Sequence, residues 1–405
     1  MFRKRFLKKL DLVMVTVLFF ILLYGLLMVG TAGTSAAWVR EVLSQQGIQQ
    51  NTMEYLWQAS LWERLKLLNL YLVKRQIVWI ALGIIAMAAV VYFSYNELKK
   101  HIRKIYVLNI VMLSAVLLLG HEAMGAQRWV QLGPFSFQPS EFSKIILIIC
   151  LAGYLSTREG KLNTLRDLLP CFVYVGVPMF LVLLQPDLGT SLVFLAILFG
   201  MLYAAGARPA LLSTIMGSGL FLAIGSVWAQ MKFPDKFQIL HDYQLQRITV
   251  FLDPWKDFQG AGYHIIQSQI AIGSSGLTGK GLLRGTQSLG QFLPIPESDF
   301  IFSVLSEQLG FLGALLLLAL YFVLIYRVLV ISREAKDTFG MLLAAGVASM
   351  FSFHILVNAG MTMGIMPVTG LPLPLFSYGG SNMIANLLAL GLVINVCIRR
   401  EKILF

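Results

Sequence analysis

The stretch FLDPWKDFQGAGYHIIQSQIAIGSSGLTGKG, residues 251–281, sets how the whole chain is read, because with its flanks from Tyr243 to Asp299 it is the longest part that a bilayer cannot hold. Three chemistries lie inside it. Asp253 and Asp257 flank Pro254, Trp255 and Lys256, and the proline favours a turn at that point. Gly260 and Gly262 follow, and then a helical pattern that places Tyr263, Ile266 and Ile270 on one face and His264, Gln267 and Ser268 on the other. Such a helix suits a membrane surface, with its polar groups aimed at something above it. Last come Gly273, Gly276, Gly279, Gly281 and Gly285, with Lys280 and Arg284 among them. Glycines let backbone amides converge on an anion, and cations strengthen the attraction. The pattern lacks the G-x-x-x-x-G-K-S/T of a phosphate loop, and taken alone it is more often a flexible connection. Beside an acid pair at a membrane surface, the anion it suits is a diphosphate.

Working outward, the remainder is a series of apolar runs. The chain has 405 residues, of which 57% are hydrophobic and 13% charged, against about 25% charged in soluble domains. It is therefore read as a membrane protein. The net charge of +12 could suggest a nucleic-acid partner, but the cations cluster between apolar runs, as the positive-inside rule requires, and no nucleic acid is expected. Cys150, Cys171 and Cys397 are far apart within apolar runs and read as small buried hydrophobes.

The expected spans are ten. The first follows Arg3, Lys4, Arg5, Lys8 and Lys9 and runs to about Gly30; TSAA at 34–37 resembles a signal-peptide cleavage site, but the run is long enough to span and is read as retained. Residues 31–75 form an outer loop in which Trp57, Leu61, Leu65, Leu68 and Leu72 predict one interfacial helix, with Lys74 and Arg75 placed to meet an anionic ligand or lipid headgroup. The second span is 76–96, followed by the basic turn ELKKHIRK at 97–104, and the third is 106–121. The fourth, 140–155, opens with Glu141 and Lys144 on one helical face, a costly placement unless they are paired or face water. They read equally as a structural ion pair and as a functional one. The fifth and sixth, 168–184 and 188–206, are separated by Gln185-Pro186-Asp187, and the seventh is 210–230. A large extracytoplasmic loop, 231–298, divides the seventh span from the eighth, 299–328, whose first turns carry Asp299, Ser306 and Glu307. The ninth, 339–362, ends in MPVTGLPLPLFSYGGSN at 366–382, a non-helical, re-entrant kind of segment, and the tenth is 383–398, before Arg399, Arg400 and Lys402. The expectation is an all-α polytopic membrane protein, a single domain over 1–405, with both termini in the cytoplasm.

Laid out in this way, the chain resembles the SEDS family (shape, elongation, division and sporulation) of bacterial cell-wall polymerases over nearly its whole length. The resemblance rests on RWVQLGPFSFQPSEFSK at 128–144, QPDLGT at 185–190, DPWKDFQGAGYHIIQSQIAIGSSGLTGKG at 253–281, SDFIFSVLSEQLGF at 298–311 and GIMPVTGLPLPLFSYGGS at 364–381. GYHIIQSQIAIGSSGL and GKGLLRGTQS look like the branch that serves cell elongation. Departures are Asn382 where a small hydroxyl residue is usual, Pro294 and Pro296 in SLGQFLPIPESDF, and the long outer loop at 31–75.

The resemblance implies a peptidoglycan glycosyltransferase acting on lipid II and its nascent glycan strand, with a single-span class B penicillin-binding transpeptidase as partner. It matches Asp257 to the family's essential loop acid, Asp253 to a less constant one, Trp129 to the tryptophan of an RW pair, and Glu141 and Lys144 to a paired Glu and Lys. Chemically, Asp257 is the candidate base that removes the proton of the acceptor hydroxyl. A diphosphate leaving group needs cations or amides more than a general acid. Lys280, Arg284, Arg247, Lys74 and Arg75 are the outer cations, and a divalent ion, magnesium or manganese, could share the task. One base with a good leaving group implies inversion by direct displacement, unlike two-carboxylate retaining chemistry. Asp187, His264, Gln267, Ser268, Ser377 and Tyr378 complete the candidate substrate contacts. The rival readings are a lipid II flippase, which Glu141, Lys144 and Asp187 would also suit, and a scaffold, which leaves the polar constellation unexplained.

Overall fold

The computed structural model describes residues 9–48, 51–123, 126–133, 135–233, 242–258 and 260–400; Arg3, Lys4, Arg5, Lys8 and Lys402 of the basic flanks lie outside these. In chain order the elements are α1 (Leu12–Ala32), the short helices α2 (Ala36–Gln45), α3 (Thr52–Gln58) and α4 (Leu61–Lys66), then α5 (Leu70–Tyr92), α6 (Tyr95–Lys100) and α7 (Ile102–Leu119). A small antiparallel sheet follows, β1 (His121–Ala123), β2 (Ala126–Leu132) and β3 (Phe135–Phe137), and then α8 (Pro139–Leu155), α9 (Leu165–Leu184), α10 (Leu188–Ala204) and α11 (Pro209–Lys232). The large loop carries α12 (Asp242–Leu252), a 3-10 turn (Pro254–Asp257), α13 (Ala261–Gly273) and α14 (Thr286–Leu289), before α15 (Ile301–Arg333), α16 (Thr338–Thr362) and α17 (Gly380–Arg399).

A helix of 17 or more residues stands at each of the ten expected spans. Among the described residues, seven of these are long and apolar enough to cross a membrane, and α10 is a shorter apolar helix. α16 and α17 are apolar all round and buried on most of their surface, whereas α11 is almost wholly exposed. An all-round apolar helix has only those two homes, the centre of a bundle or the lipid. The first span is pinned at its start: Asp11 caps α1 through the Met14 amide (3.0 Å) and pairs with Arg327 of α15.

Three expectations need correction. The single interfacial helix expected over 31–75 is broken into α2, α3 and α4, and Leu72 belongs to α5. Local capping does this: Ser60 and Glu63 form a reciprocal capping box at α4, and Asn69 caps α5 through the Tyr71 amide (3.1 Å). Leu56 and Leu67, rather than the expected stripe, bury themselves with Leu283 and Leu289 of the large loop. Secondly, RWVQLGPFSF folds as strands, with β2 pairing β1 and β3. The fold is helical with this one sheet among the described residues. Thirdly, α15 is two helices joined at Gly310, which has φ 67°.

The break in α15 has an identifiable cause. The glycine loop lies along it as a short strand would: the Lys280 and Gly281 amides donate to the Glu307 and Gln308 carbonyls (3.0 and 2.9 Å), and the Phe311 and Leu312 amides donate to Gly276 and Leu277 (3.0 and 3.1 Å). Backbone groups freed from a helix must find partners inside the protein. Gly279 (φ 75°) and Gly310 face each other so closely that a Cβ on either would strike the other's backbone. Gly279→Ala should therefore cost roughly 1–3 kcal/mol in strain alone, read as a lower melting temperature of the purified protein. An unchanged melting temperature would mean that the pairing is not formed.

Candidate active site

Asp257 ends the 3-10 turn, half-buried, and accepts from the Gln246 side chain of α12 (3.3 Å). Its carboxylate lies so close over Gly260 that a side chain there would displace it, and Gly262 admits the carbonyls of Pro254 and Asp257 in the same way. The two glycines thus let the acid turn settle onto the start of α13, whose amino end favours negative charge. His264, one turn along α13, feels that charge. Burial pulls its imidazole below the usual range, with Asp257 opposing, so the ring is neutral at pH 7. Among the described residues its Nδ1 is buried without a hydrogen-bond partner. Among the described residues, Asp253 makes only an exposed 3.6 Å ion pair with Lys256.

The rest of α13 departs from the expected two faces. Ser268 is fully buried and bonds to Ser303 of α15 (2.6 Å) and the Thr362 carbonyl of α16 (2.7 Å), while Ile270 is exposed. Ser268 fastens α13 to the bundle and is not presented to a substrate. His264 and Gln267 remain half-buried on the helix.

The other candidate residues converge on the non-helical segment 363–379. Its carbonyls meet side-chain donors from several elements: Thr369 meets Arg247 (3.3 Å), Leu371 meets Asn358 (2.7 Å), Pro372 meets His354 (3.3 Å), Pro374 meets Tyr321 (2.7 Å) and Ser377 meets Gln76 (3.1 Å). Ser377 itself is buried, its hydroxyl donating to the Ser298 carbonyl (2.8 Å), and the Tyr378 amide donates to Glu297 (2.8 Å). Both are stitches between this segment and 297–299 through those groups. Arg247 and Gln246 are neighbours on α12, so one short helix reaches the segment with one residue and Asp257 with the next.

Arg247 sits among charges. Burial pulls its guanidinium below the usual range, Arg128 adds to the effect, and Asp187, Tyr243 and Asp299 oppose it. Asp187 caps α10 through the Thr190 amide (3.1 Å) and hydroxyl (2.9 Å), and Arg128 of β2 approaches it at 3.8 Å while clamping the Gln185 and Pro186 carbonyls. The proline-aspartate break is thus satisfied by an arginine of the sheet. Trp129, the next residue of β2, is half-buried. Arg75 donates to the Tyr71 hydroxyl (3.1 Å).

Glu141 and Lys144 are paired at 2.8 Å and both are buried. The lysine also contacts His354 of α16 (3.1 Å), a residue that the sequence reading passed over. Lys144 can only donate, so His354 accepts at Nε2 and turns an Nδ1 proton to the Pro372 carbonyl. The buried pair therefore reaches segment 363–379 through one imidazole. A polar His354 and Asn358 one turn apart in an otherwise apolar span was the available signal.

The glycine loop does build an anion site, and its occupant is Glu307 of the same chain. That fully buried carboxylate accepts from Lys280 (2.9 Å), the Thr286 hydroxyl (3.2 Å) and the Gln287 and Ser288 amides (2.8 and 3.0 Å). Arg284 stacks on Trp57 and donates to the Leu56 and Trp57 carbonyls, tying the loop to α3. Lys280 thus has Glu307 as its partner and Arg284 is tied to α3 through two of its nitrogens, which weighs against the expected diphosphate grip by this pair. Lys280→Gln with Arg284→Gln should destabilise the protein by roughly 1–3 kcal/mol, the cost of unpartnered buried groups, with lipid II affinity in neutral detergent unchanged. Lost affinity at an unchanged melting temperature would return the cations to the substrate. Among the described residues, no group of three or more His, Cys, Asp or Glu comes together that could hold a metal ion.

A many-spanned helical bundle with an acid-bearing loop over a stitched, non-helical segment defines a membrane-embedded enzyme class, and comparison with known proteins gives it a family. The model of the cell cycle proteins FtsW, RodA and SpoVE matches residues 51–402. The peptidoglycan glycosyltransferase MrdB of Escherichia coli is 41% identical over 82% of this chain and 87% of its own length. The peptidoglycan glycosyltransferase RodA of Treponema pallidum is 34% identical over 80% and 89%. Among solved structures, a chain from a peptidoglycan synthase complex described as coordinating polymerization and crosslinking superposes with a TM-score of 0.75 at 30% identity, covering 97% of this chain and 99% of that one. RodA of Thermus thermophilus superposes at 0.65 with 27% identity over 97% and 98%. The chain belongs to the FtsW/RodA/SpoVE family and is most like RodA.

Proposed function

We propose that the chain is a peptidoglycan glycosyltransferase that polymerises lipid II into glycan strands during cell elongation and shape maintenance. It works at the outer face of the cytoplasmic membrane, as one membrane domain with both termini inside. The observation that carries the reading is Asp257, an acid held by Gln246 over Gly260 beside a neutral His264.

Asp257 takes the proton of the acceptor sugar hydroxyl as the new bond forms at the anomeric carbon of the donor glycan, and the donor's diphosphate departs. The displacement proceeds with inversion. The negative charge that develops on the diphosphate is met by the Arg247 and Arg128 end of the site, where Arg247 is placed by the Thr369 carbonyl. Arg247→Gln should slow turnover by about a hundredfold, the size of a lost preorganised donor, with a lower melting temperature from the lost Thr369 contact; an unaffected rate would remove it from the site. Glu141, Lys144 and His354 hold segment 363–379, and Trp129 lies in the sheet beside the clamp on 185–186.

Support for the partner comes from the synthase complex that this chain's fold matches; a single-span class B penicillin-binding transpeptidase is the reading's choice. The test is a lipid II polymerisation assay on the purified protein, with and without that transpeptidase. Glycan strands should form, and lipid II translocation without strands in the reconstituted pair would favour the flippase instead.

A further inference from the structure

At the end of the bundle that carries the basic turn, away from Asp257, a cavity of about 400 Å³ opens between the end of α5, α6 and α17. Its wall is apolar, built on Ala89, Val90, Phe93 and Leu98. The polar groups at its edge are engaged: Asn395 donates to the Val90 and Phe93 carbonyls, and Glu97 pairs with Lys100 at 2.7 Å. Phe93 is 65% exposed and lies against the Tyr92 ring, and Val107 and Leu108 of α7 are likewise large side chains that face outward as lipid-facing residues do. Glu97, Leu98 and His101 of its lining belong to a turn that is cationic. Lys99, Lys100, Arg103 and Lys104 stand against Glu97 alone over residues 95–104. Lys99 is turned onto the Phe339 ring, while Arg103 and Lys104, in the first turn of α7, are exposed and form no ion pair among the described residues.

We propose that this cavity is a binding site for an anionic phospholipid, one acyl chain lying against Ala89, Val90 and Phe93 and the phosphate headgroup meeting Arg103 and Lys104. Two features select this occupant. An apolar wall whose polar neighbours are already bonded offers nothing to a peptide backbone, which would bury unpaired amides. An apolar slot that ends in cations at the level where a span ends matches a chain with a charged head, and basic residues there favour anionic over neutral lipid. The ends of α5 and α17, which Asn395 already joins by donating to the Val90 and Phe93 carbonyls and Arg399 by donating to the Val91 and Tyr92 carbonyls, would be held together further by such a lipid.

The test uses the full chain in a neutral detergent, with dioleoyl phosphatidylglycerol and dioleoyl phosphatidylcholine as probes and native mass spectrometry as the readout. The wild-type protein should hold the glycerol lipid more tightly than the choline lipid. Arg103→Gln with Lys104→Gln should weaken the glycerol lipid by roughly 25-fold, about fivefold per cation, and leave the choline lipid unchanged. Ala89→Phe, which fills the slot, should weaken both lipids at an unchanged melting temperature. Equal binding of the two lipids by the wild type, a preference for the glycerol lipid that survives Arg103→Gln with Lys104→Gln, or undiminished binding of both lipids by Ala89→Phe would overturn the proposal.

Discussion

Asp257→Asn should reduce glycan polymerisation by about 10²–10⁴-fold, the usual worth of a positioned general base, and leave the melting temperature within a degree or two. The amide keeps the shape of the carboxylate and its contact with Gln246, so the turn over Gly260 is retained while the proton acceptor is lost. Asp253→Asn is the internal control. Among the described residues its carboxylate makes only the exposed ion pair with Lys256, so its loss should change the rate by less than tenfold. Initial rates of strand formation from lipid II, with folding checked by thermal melting, separate the outcomes. Near wild-type polymerisation by Asp257→Asn would sink the assignment of the base, and an equal collapse in Asp253→Asn would shift it to the pair.

Lys144→Ala should be the most destabilising single change in the bundle. Both members of the pair with Glu141 are buried, and His354 loses its donor at the same stroke. Removing one partner of a buried ion pair costs roughly 3–5 kcal/mol, because the charge that remains has neither water nor a counterion. The paired replacement Glu141→Gln with Lys144→Met removes the charge along with its partner and should recover most of the stability. It should not recover the activity, because His354 would no longer be oriented toward Pro372 and segment 363–379 would lose its anchor there. The measurement is melting temperature and polymerisation rate on both variants. If Lys144→Ala melts with the wild type, the pair is solvated and this account of it fails.

The sequence by itself determined the helical runs and put forward a candidate loop acid. Apolar runs long enough to cross a bilayer can only be helices there, because a lipid-exposed backbone must satisfy its own hydrogen bonds, and each of the ten runs stands as a helix. The turn chemistry of DPWKD before two glycines is local and marked the pair Asp253 and Asp257, of which the family resemblance singles out Asp257. Glu141 and Lys144, three apart on one face, also announced their own pairing.

What the tertiary structure decided was where each polar group finds its partner. Lys280 and the glycine amides looked like a ligand's cradle, and an anion does lie there. That anion is Glu307, 27 residues along the chain, brought back by the break at Gly310. Ser268 sits at the spacing of a polar face, yet Ser303 and Thr362 are what it meets, on two other helices. His354 lies 210 residues from Lys144, and Arg128 lies 57 from the carbonyl of Gln185 that it clamps. Periodicity and turn chemistry act over a few residues and can be read from the chain. Satisfaction of a buried charge or carbonyl depends on which distant segment folds against it, and only the packed bundle fixes that.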